Sequence, residues 1–449
     1  MSGTGFELKE TSKAGPILHN VNRAILFILP SIVITAVSIA LFSQLTSFTQ
    51  SQHNIFAITI IAAIILSLIG MAGMQVLIYR IVESRDDYAD GAAVRSIRIG
   101  MVFSFFVSVI IATMAYPYFI YILLFSITDF LYFCGLLFLF SSTWVIVSVF
   151  WASEKYGASA VIFTLSYLII FVLTYSAYQV NSEYAISGYI VGTAVLFLTF
   201  ILTSIVIFRR PESPRKLSKD LSKLSKIISQ NSAAIMFSIF YVLAIFLDKI
   251  IVWVYQGITT GQGLLVTGPY TAGSFLGLIP MFSIAVIAYF TGRTKSLVDD
   301  RYNGTYSEIH QKIDKYKYIY QTTFKAMWFI AFGISAIVVS LSYFLINDFQ
   351  ILRILLTVSL GSVFFVVIIF NSVVLVIFGK SRISTFAVIA VILFELAAIP
   401  FVSADVWYCS LGFLVGSFIG FLISFIFTIR LFSNYEYNMF SYLLKLTTD

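Results

Sequence analysis

Apolar runs long enough to cross a bilayer follow one another along almost the whole chain. A membrane-spanning helix needs about 20 consecutive apolar residues. Runs of this kind lie near 24–46, 55–79, 99–122, 130–151, 158–179 and 185–208, and again near 229–255, 270–291, 326–346, 354–378, 383–403 and 406–430. The pattern predicts an all-α polytopic membrane protein of twelve spans. The first run is too long for a signal-peptide core and lacks a small-residue cleavage pattern, so it reads as a retained span. The third run has no clear polar break before 130, and Pro117 is placed to bend it.

Polar punctuation divides these runs into two sets of six. RRPESPRKLSKDLSKLSK, residues 209–226, is basic and opens with two prolines. Within it Leu217, Leu221, Leu224 and Ile228 recur at helical spacing, with Lys216, Lys219, Lys223 and Lys226 elsewhere on the turn. Such a segment is either an amphipathic helix on an anionic inner leaflet or a solvated linker. The expected organisation is therefore 1–208 as a first unit, 209–226 as a basic linker, 227–430 as a second unit and 431–449 as a tail. Both units have the same loop rhythm, with long segments at 80–98 and 292–325 and very short ones at 152–157 and 379–382. A duplicated six-span unit related by an axis along the membrane normal gives this rhythm. In the second long segment Tyr302, Tyr306, Ile309, Ile313, Tyr316 and Tyr320 step by three and four. That spacing predicts a helix running into the next span and offers a seam for packing or for a cytoplasmic partner.

Charge fixes the expected orientation. If both termini are cytoplasmic, the inside segments hold 26 of the 28 lysines and arginines, leaving only Lys249 and Arg353. This satisfies the positive-inside rule. The net charge of +7 is thus a matter of topology and not of nucleic-acid binding. Only 11% of the 449 residues are charged, against 59% hydrophobic. No polar stretch is long enough to form a separate soluble domain.

The chain carries no recognisable catalytic motif. His19, His53 and His310 fall in predicted loops or tails, where an intramembrane metalloprotease or acyltransferase would need a histidine at depth. No GxxxxGK[ST] loop is present. Asp86, Asp87 and Asp90 are the nearest approach to an acidic cluster, but arginines flank them. Cys134 and Cys409 lie in apolar runs without metal-ligand spacing and read as small buried hydrophobes. No cofactor, no metal and no enzymatic activity are expected.

Charges at membrane depth are costly and usually face a bundle interior or a wet cavity. Asp248 and Lys249 sit together in FYVLAIFLDKIIVWVYQ. Adjacent residues on a helix point about 100° apart, so each is expected to need a partner from another span or from water. Glu395, five residues before Pro400, has no charge near it in sequence. It must be paired across helices, protonated or open to a wet path, and it suits proton or cation coupling. Arg353 opens a span and either snorkels or lines the path. Asp129 and Asp405 are expected to cap helices. Tyr116, Tyr118, Tyr121, Trp253, Tyr255, Tyr270, Trp407 and Tyr408 fit an outer aromatic belt, and the same rings are able to stack on sugars. Asp248, Lys249, Glu395, Arg353, Trp253 and Tyr255 are the candidate path or coupling residues.

The opening GTGFELK, Gly3 to Lys9, followed at once by a first span, resembles the start of the PelG family, exporters of the Pel exopolysaccharide. The family similarly carries an Asp-Lys pair followed by aromatics in its seventh span, here Asp248, Lys249, Trp253 and Tyr255. Tyr270, Ile279-Pro280, Tyr302 and Tyr306 follow its layout. Two positions depart from it: Thr271 stands where family members tend to have an acid, and AYFTGRTK lacks a glutamate found near that span's inner end.

The resemblance implies a place among the multidrug/oligosaccharidyl-lipid/polysaccharide flippases, with two six-helix bundles around a central cavity in a bacterial cytoplasmic membrane. It implies an N-acetylgalactosamine-rich polymer as substrate, with membrane lipids, a cytoplasmic glycosyltransferase and a regulatory membrane protein as partners. The scarcity of basic residues away from the cytoplasmic side fits a largely neutral polymer better than a lipid pyrophosphate. Two other readings stay open: a cation-coupled exporter of drugs or lipid-linked oligosaccharides using Asp248 and Glu395, and a membrane scaffold docking a glycosyltransferase.

Overall fold

The computed structural model describes residues 50–83, 89–208, 217–259, 268–287, 289–291, 294 and 306–433, together with Leu26, Leu29, Val33 and Val37. The first expected span, 24–46, with Pro30, lies outside the described residues apart from those four positions. The N-terminal tail, residues 209–216, Tyr302 and 434–449 lie outside them too, as do the side chains of Asp86, Asp87 and Asp90.

Among the described residues, five helices precede the linker: α1 Gln50–Glu83, α2 Ala89–Pro117, α3 Ile127–Ala152, α4 Tyr156–Val180 and α5 Ala185–Ile207. Six follow among the described residues: α6 Leu217–Thr259, α7 Pro269–Gly277, α8 Tyr306–Leu345, α9 Phe349–Ile377, α10 Ser381–Ala397 and α11 Trp407–Ser433. No strand occurs among the described residues. Eleven segments among the described residues are long and apolar enough to cross a membrane, from Asn54–Tyr79 to Trp407–Ser433. The protein is an all-α polytopic membrane protein of two bundles.

Several boundaries differ from expectation, each for a local reason. α8 begins some twenty residues before its apolar window, because its tyrosine seam gives the polar half something to bury. Tyr316 packs on Phe290, Phe378 and Phe432, and Tyr320 donates to Asn371 Oδ1 at 2.8 Å. The described end of the seam, Tyr316 and Tyr320, therefore packs into the second bundle, and Tyr302 and the side chains of Tyr306 and Ile309 lie outside the described residues. α6 is a single helix from Leu217, so the last part of the basic segment is continuous with the span. His53 and His310 lie on helices and not in loops. His310 is exposed and 4.0 Å from Asp314.

Prolines reshape three helix ends. Pro117 leads into a π-helical turn, Tyr118–Ile122, Pro280 lies in a 3-10 turn, Ile279–Ile284, and Pro400 in another, Ile399–Phe401. A missing N–H removes one rung of the ladder, and the turn redistributes the rest. Asp129 completes a capping box with Ser126, and Asp405 accepts from the Trp407 N–H at 2.9 Å, as expected of both.

Packing divides at α6. Phe246, Ile250, Trp253 and Val254 join the core of the first bundle, and their i, i+4, i+7, i+8 spacing marks one stripe of the helix. Tyr241, Ala244, Ile245, Val252 and Tyr255 join the core of the second. The halves also meet where Ser238 donates to the Ala72 carbonyl at 2.8 Å and where Ile235 packs over Gly73. α6 is thus the seam of the molecule, and the Asp-Lys pair lies on the flank that faces the second bundle.

A buried charge cluster on the seam helix

Of all described residues, only Asp248, Lys249 and Glu395 are charged and buried, and all three are 0% exposed. They come from two helices and share one interior site. α6 brings Asp248 and Lys249, α7 brings Tyr270, α10 brings Glu395, and α11 brings Cys409 and Phe413.

Asp248 and Lys249 bond directly to each other, contrary to the expectation that each takes a partner from elsewhere. Lys249 Nζ lies 2.8 Å from Asp248 Oδ1 and also donates to the Ile245 carbonyl at 2.9 Å. Helical geometry separates the two Cβ atoms, but the four-carbon lysine stem is long enough to curl back along the turn. The second carboxylate oxygen, Oδ2, accepts from the Tyr270 hydroxyl at 2.8 Å. The ammonium lies 5.7 Å from the centroid of the Phe413 ring, within cation–π range.

Glu395 completes the site differently. It interacts electrostatically with Asp248 and Lys249 and lies beside the Asp248 backbone. Neither of its oxygens has a hydrogen-bond partner. α11 holds it close. A Cβ built on Gly412 falls 2.8 Å from the Phe394 carbonyl and 3.2 Å from Glu395 Cα, and one built on Gly416 falls 2.8 Å from Val391 Cα. Only glycine permits that approach, and the small-xxx-small stripe of Gly412, Gly416 and Gly420 is a membrane-helix packing device.

The other candidate residues stand apart. Trp253 is 3% exposed and donates from Nε1 to Thr271 Oγ1 at 2.7 Å, so it is not part of an interfacial belt. Tyr270, fully buried on Asp248, is not part of it either. Both polar tips find interior acceptors, which removes the reason to sit at the headgroups. Thr271, one of the two positions at which the chain departs from the PelG layout, is thus the acceptor for that indole. Tyr255 is half-buried.

Arg353 belongs to a second, shallower cluster. Its guanidinium bonds Asp405 Oδ2 at 2.8 Å and stacks 3.7 Å over Trp407, whose Nε1 donates to Thr357. Arg353 is therefore tied down on both sides and does not merely reach for water. Cys134 and Cys409 are free thiols, Cys409 fully buried at the charge site and Cys134 lining an apolar cleft of about 450 Å³ between α2 and α3.

Sequence reasoning missed Tyr270 and Phe413 as partners of the pair. The available signal for Tyr270 was its place just after Pro269 at the start of α7, within reach of the end of α6. Phe413 offered none. No group of three or more histidine, cysteine or acidic side chains is arranged to hold a metal among the described residues.

The fold has known counterparts. A multidrug resistance MATE family transporter of the MOP superfamily, in an outward-facing conformation, superposes with a TM-score of 0.65 at 15% identity, over 93% of this chain and 96% of that one. A MOP superfamily transporter from Pyrococcus furiosus, described with a binding pocket of reverse polarity, gives 0.68 at 14% identity over 93% and 96%. The eukaryotic MATE transporter AtDTX14 gives 0.66 at 12% identity over 92% and 96%. At these identities the likeness establishes the fold alone. Comparison with curated proteins yields no match. The family model PelG, "Putative exopolysaccharide Exporter (EPS-E)", matches residues 1–440. A polytopic chain with the MOP transporter architecture, matched over nearly its whole length, belongs to the PelG exopolysaccharide-exporter family.

Proposed function

We propose that this protein exports a Pel-like, N-acetylgalactosamine-rich polysaccharide across the bacterial cytoplasmic membrane, with both termini cytoplasmic. The match of the exporter family to residues 1–440 carries the reading. A cytoplasmic glycosyltransferase and a regulatory membrane protein of the same secretion system are the partners we assign to it, with the 209–226 linker and the α8 seam on the side that faces them. Residues 1–208 and 227–430 are the two moving units.

In this conformation Asp248 and Lys249 are wholly buried, so their role in export is to hold the seam helix against the second bundle while the halves move. Breaking a buried pair by removing one partner costs about 3–5 kcal/mol, enough to shift any conformational equilibrium of the bundle. Arg353, Trp407 and Tyr255 are the candidate residues with surface to offer the polymer.

The test is secretion. Asp248→Asn and Lys249→Ala are expected to abolish polymer release while the protein still reaches the membrane. Normal secretion by both variants removes the pair from the mechanism, and an unchanged ratio of secreted to intracellular polysaccharide in a deletion strain overturns export itself. One observation favours a second reading, ion-coupled transport: Glu395 is a buried carboxyl without a hydrogen-bond partner. That reading requires export by Glu395→Gln to lose its dependence on the proton gradient.

A further inference from the structure

We propose that Glu395 is a proton-binding site whose charge is set by where Lys249 points. This deepens the export reading, on which only its use in transport rests. The argument starts from charge balance. Asp248 and Lys249 neutralise one another at 2.8 Å. Tyr270 supplies the second donor to Asp248. No side-chain donor is left over for Glu395, which is buried within electrostatic reach of the pair and has no hydrogen-bond partner on either oxygen.

An isolated ionised carboxylate is strongly disfavoured in such surroundings, and a group in that position neutralises instead. The titratable groups that interact with this site are Asp248 and Lys249 from α6, Tyr270 from α7 and Cys409 from α11. Lysine is the one cation among them, and it is committed to Asp248. Glu395 therefore carries the carboxyl proton in the conformation described here.

The same inventory fixes the other arrangement. When the lysine stem swings from Asp248 to Glu395, the Glu395 carboxyl gives up its proton to form the new ion pair. Asp248, now without the ammonium, takes up one proton in its place, and Tyr270 goes on donating to it. Each arrangement has one ammonium, one carboxylate and one carboxylic acid, so the buried site is neutral throughout. No covalent bond other than O–H is made or broken. The site needs no sodium ion, because Lys249 is a tethered cation already in it. The helix carrying Lys249 is the seam between the bundles, so a change in their packing is the natural trigger for the swing.

Infrared spectroscopy of the purified full chain tests this without polymer, in an alkyl maltoside detergent that contributes no ester carbonyl. A buried carboxylic acid absorbs above the amide band, and a carboxylate below it. At pH 7 the spectrum of the wild type minus that of Glu395→Gln is expected to show one protonated carboxyl band, which Glu395→Asp shifts and does not abolish. In the Asp248→Asn background Lys249 is free to pair with Glu395, and the same difference is expected to lose that band and gain a carboxylate. Absence of the protonated band in the wild type overturns the proton site. Its persistence in the Asp248→Asn background overturns control by Lys249. Gel filtration selects folded preparations, and Glu395→Asp serves if Glu395→Gln does not fold. Because no polysaccharide is involved, failure here leaves export untouched, and failure of export leaves the spectrum untouched.

Discussion

The two bundles use the same helix-packing device around opposite chemistry. In the first, a Cβ on Gly188 would fall 2.6 Å from the Leu173 carbonyl, 2.9 Å from Ala177 Cβ and 2.9 Å from Thr174 Cα. In the second, a Cβ on Gly412 would fall 2.8 Å from the Phe394 carbonyl, 3.1 Å from Ala398 Cβ and 3.2 Å from Glu395 Cα. One helical turn on, Gly192 faces Ile170 as Gly416 faces Val391. The α4–α5 and α10–α11 pairs are therefore the same contact made twice. Thr174 occupies the place of Glu395.

The difference lies in how each polar group is satisfied. Thr174 donates to the Ile170 carbonyl of its own helix at 2.7 Å and needs nothing from elsewhere. The first bundle repeats this habit: Thr59, Thr143, Ser148 and Thr193 all bond a carbonyl one turn back, and no buried charge occurs among its described residues. Glu395 makes no such local bond, and neither of its oxygens has a hydrogen-bond partner. The lesson is that two helix pairs share one packing device, while buried charge among the described residues is confined to the half where a lysine on the seam helix is available to balance it.

The largest effect comes from erasing that distinction. Thr174→Glu places a carboxyl in the first bundle with no ammonium near it. We expect a loss of several kcal/mol and collapse of membrane yield, read as monodisperse protein recovered per cell. Recovery at the wild-type level would mean that the bundles do not differ in their capacity for charge.

A smaller effect is expected from Lys249→Met, which leaves Asp248 with Tyr270 alone and lowers stability by about 3–5 kcal/mol. The double variant Asp248→Asn/Lys249→Met is expected to recover much of it in thermal unfolding in detergent. A double variant no more stable than the single one would show that the pair is not energetically coupled.

The smallest effect sharpens the comparison. Gly188→Ala and Gly412→Ala each press a methyl group onto a facing carbonyl, at about 1–3 kcal/mol. Their stability losses are expected to match, while only Gly412→Ala alters export, because only there does the displaced neighbour carry the proton site. Equal export by both would detach Glu395 from function.

Much of the fold was legible in advance, and the reason is that hydropathy is a property of each segment by itself. The spans from Asn54–Tyr79 onward fall where the apolar runs stand. Lysines and arginines set an expected orientation without reference to packing. The prolines at 117, 280 and 400 mark where helices change their winding, because a missing N–H is a local fact. α8 was readable as a helix from a seam with a three-four rhythm.

The site was legible only as a set of anomalies. Asp248, Lys249 and Glu395 stand out in sequence because charge is scarce at depth, but their joint use depends on α10 and α11 packing against α6. Trp253 and Tyr270 show the same limit, since an aromatic near a span end reads as interfacial until its hydrogen-bond acceptor is known. The chain alone thus determined that this is a membrane protein of serial spans, with a few buried charges that require partners. Which partners they take was decided by tertiary structure, because Tyr270, Glu395 and Phe413 reach the pair only when their helices pack against α6, and a lysine stem chooses its carboxylate only inside that packed site.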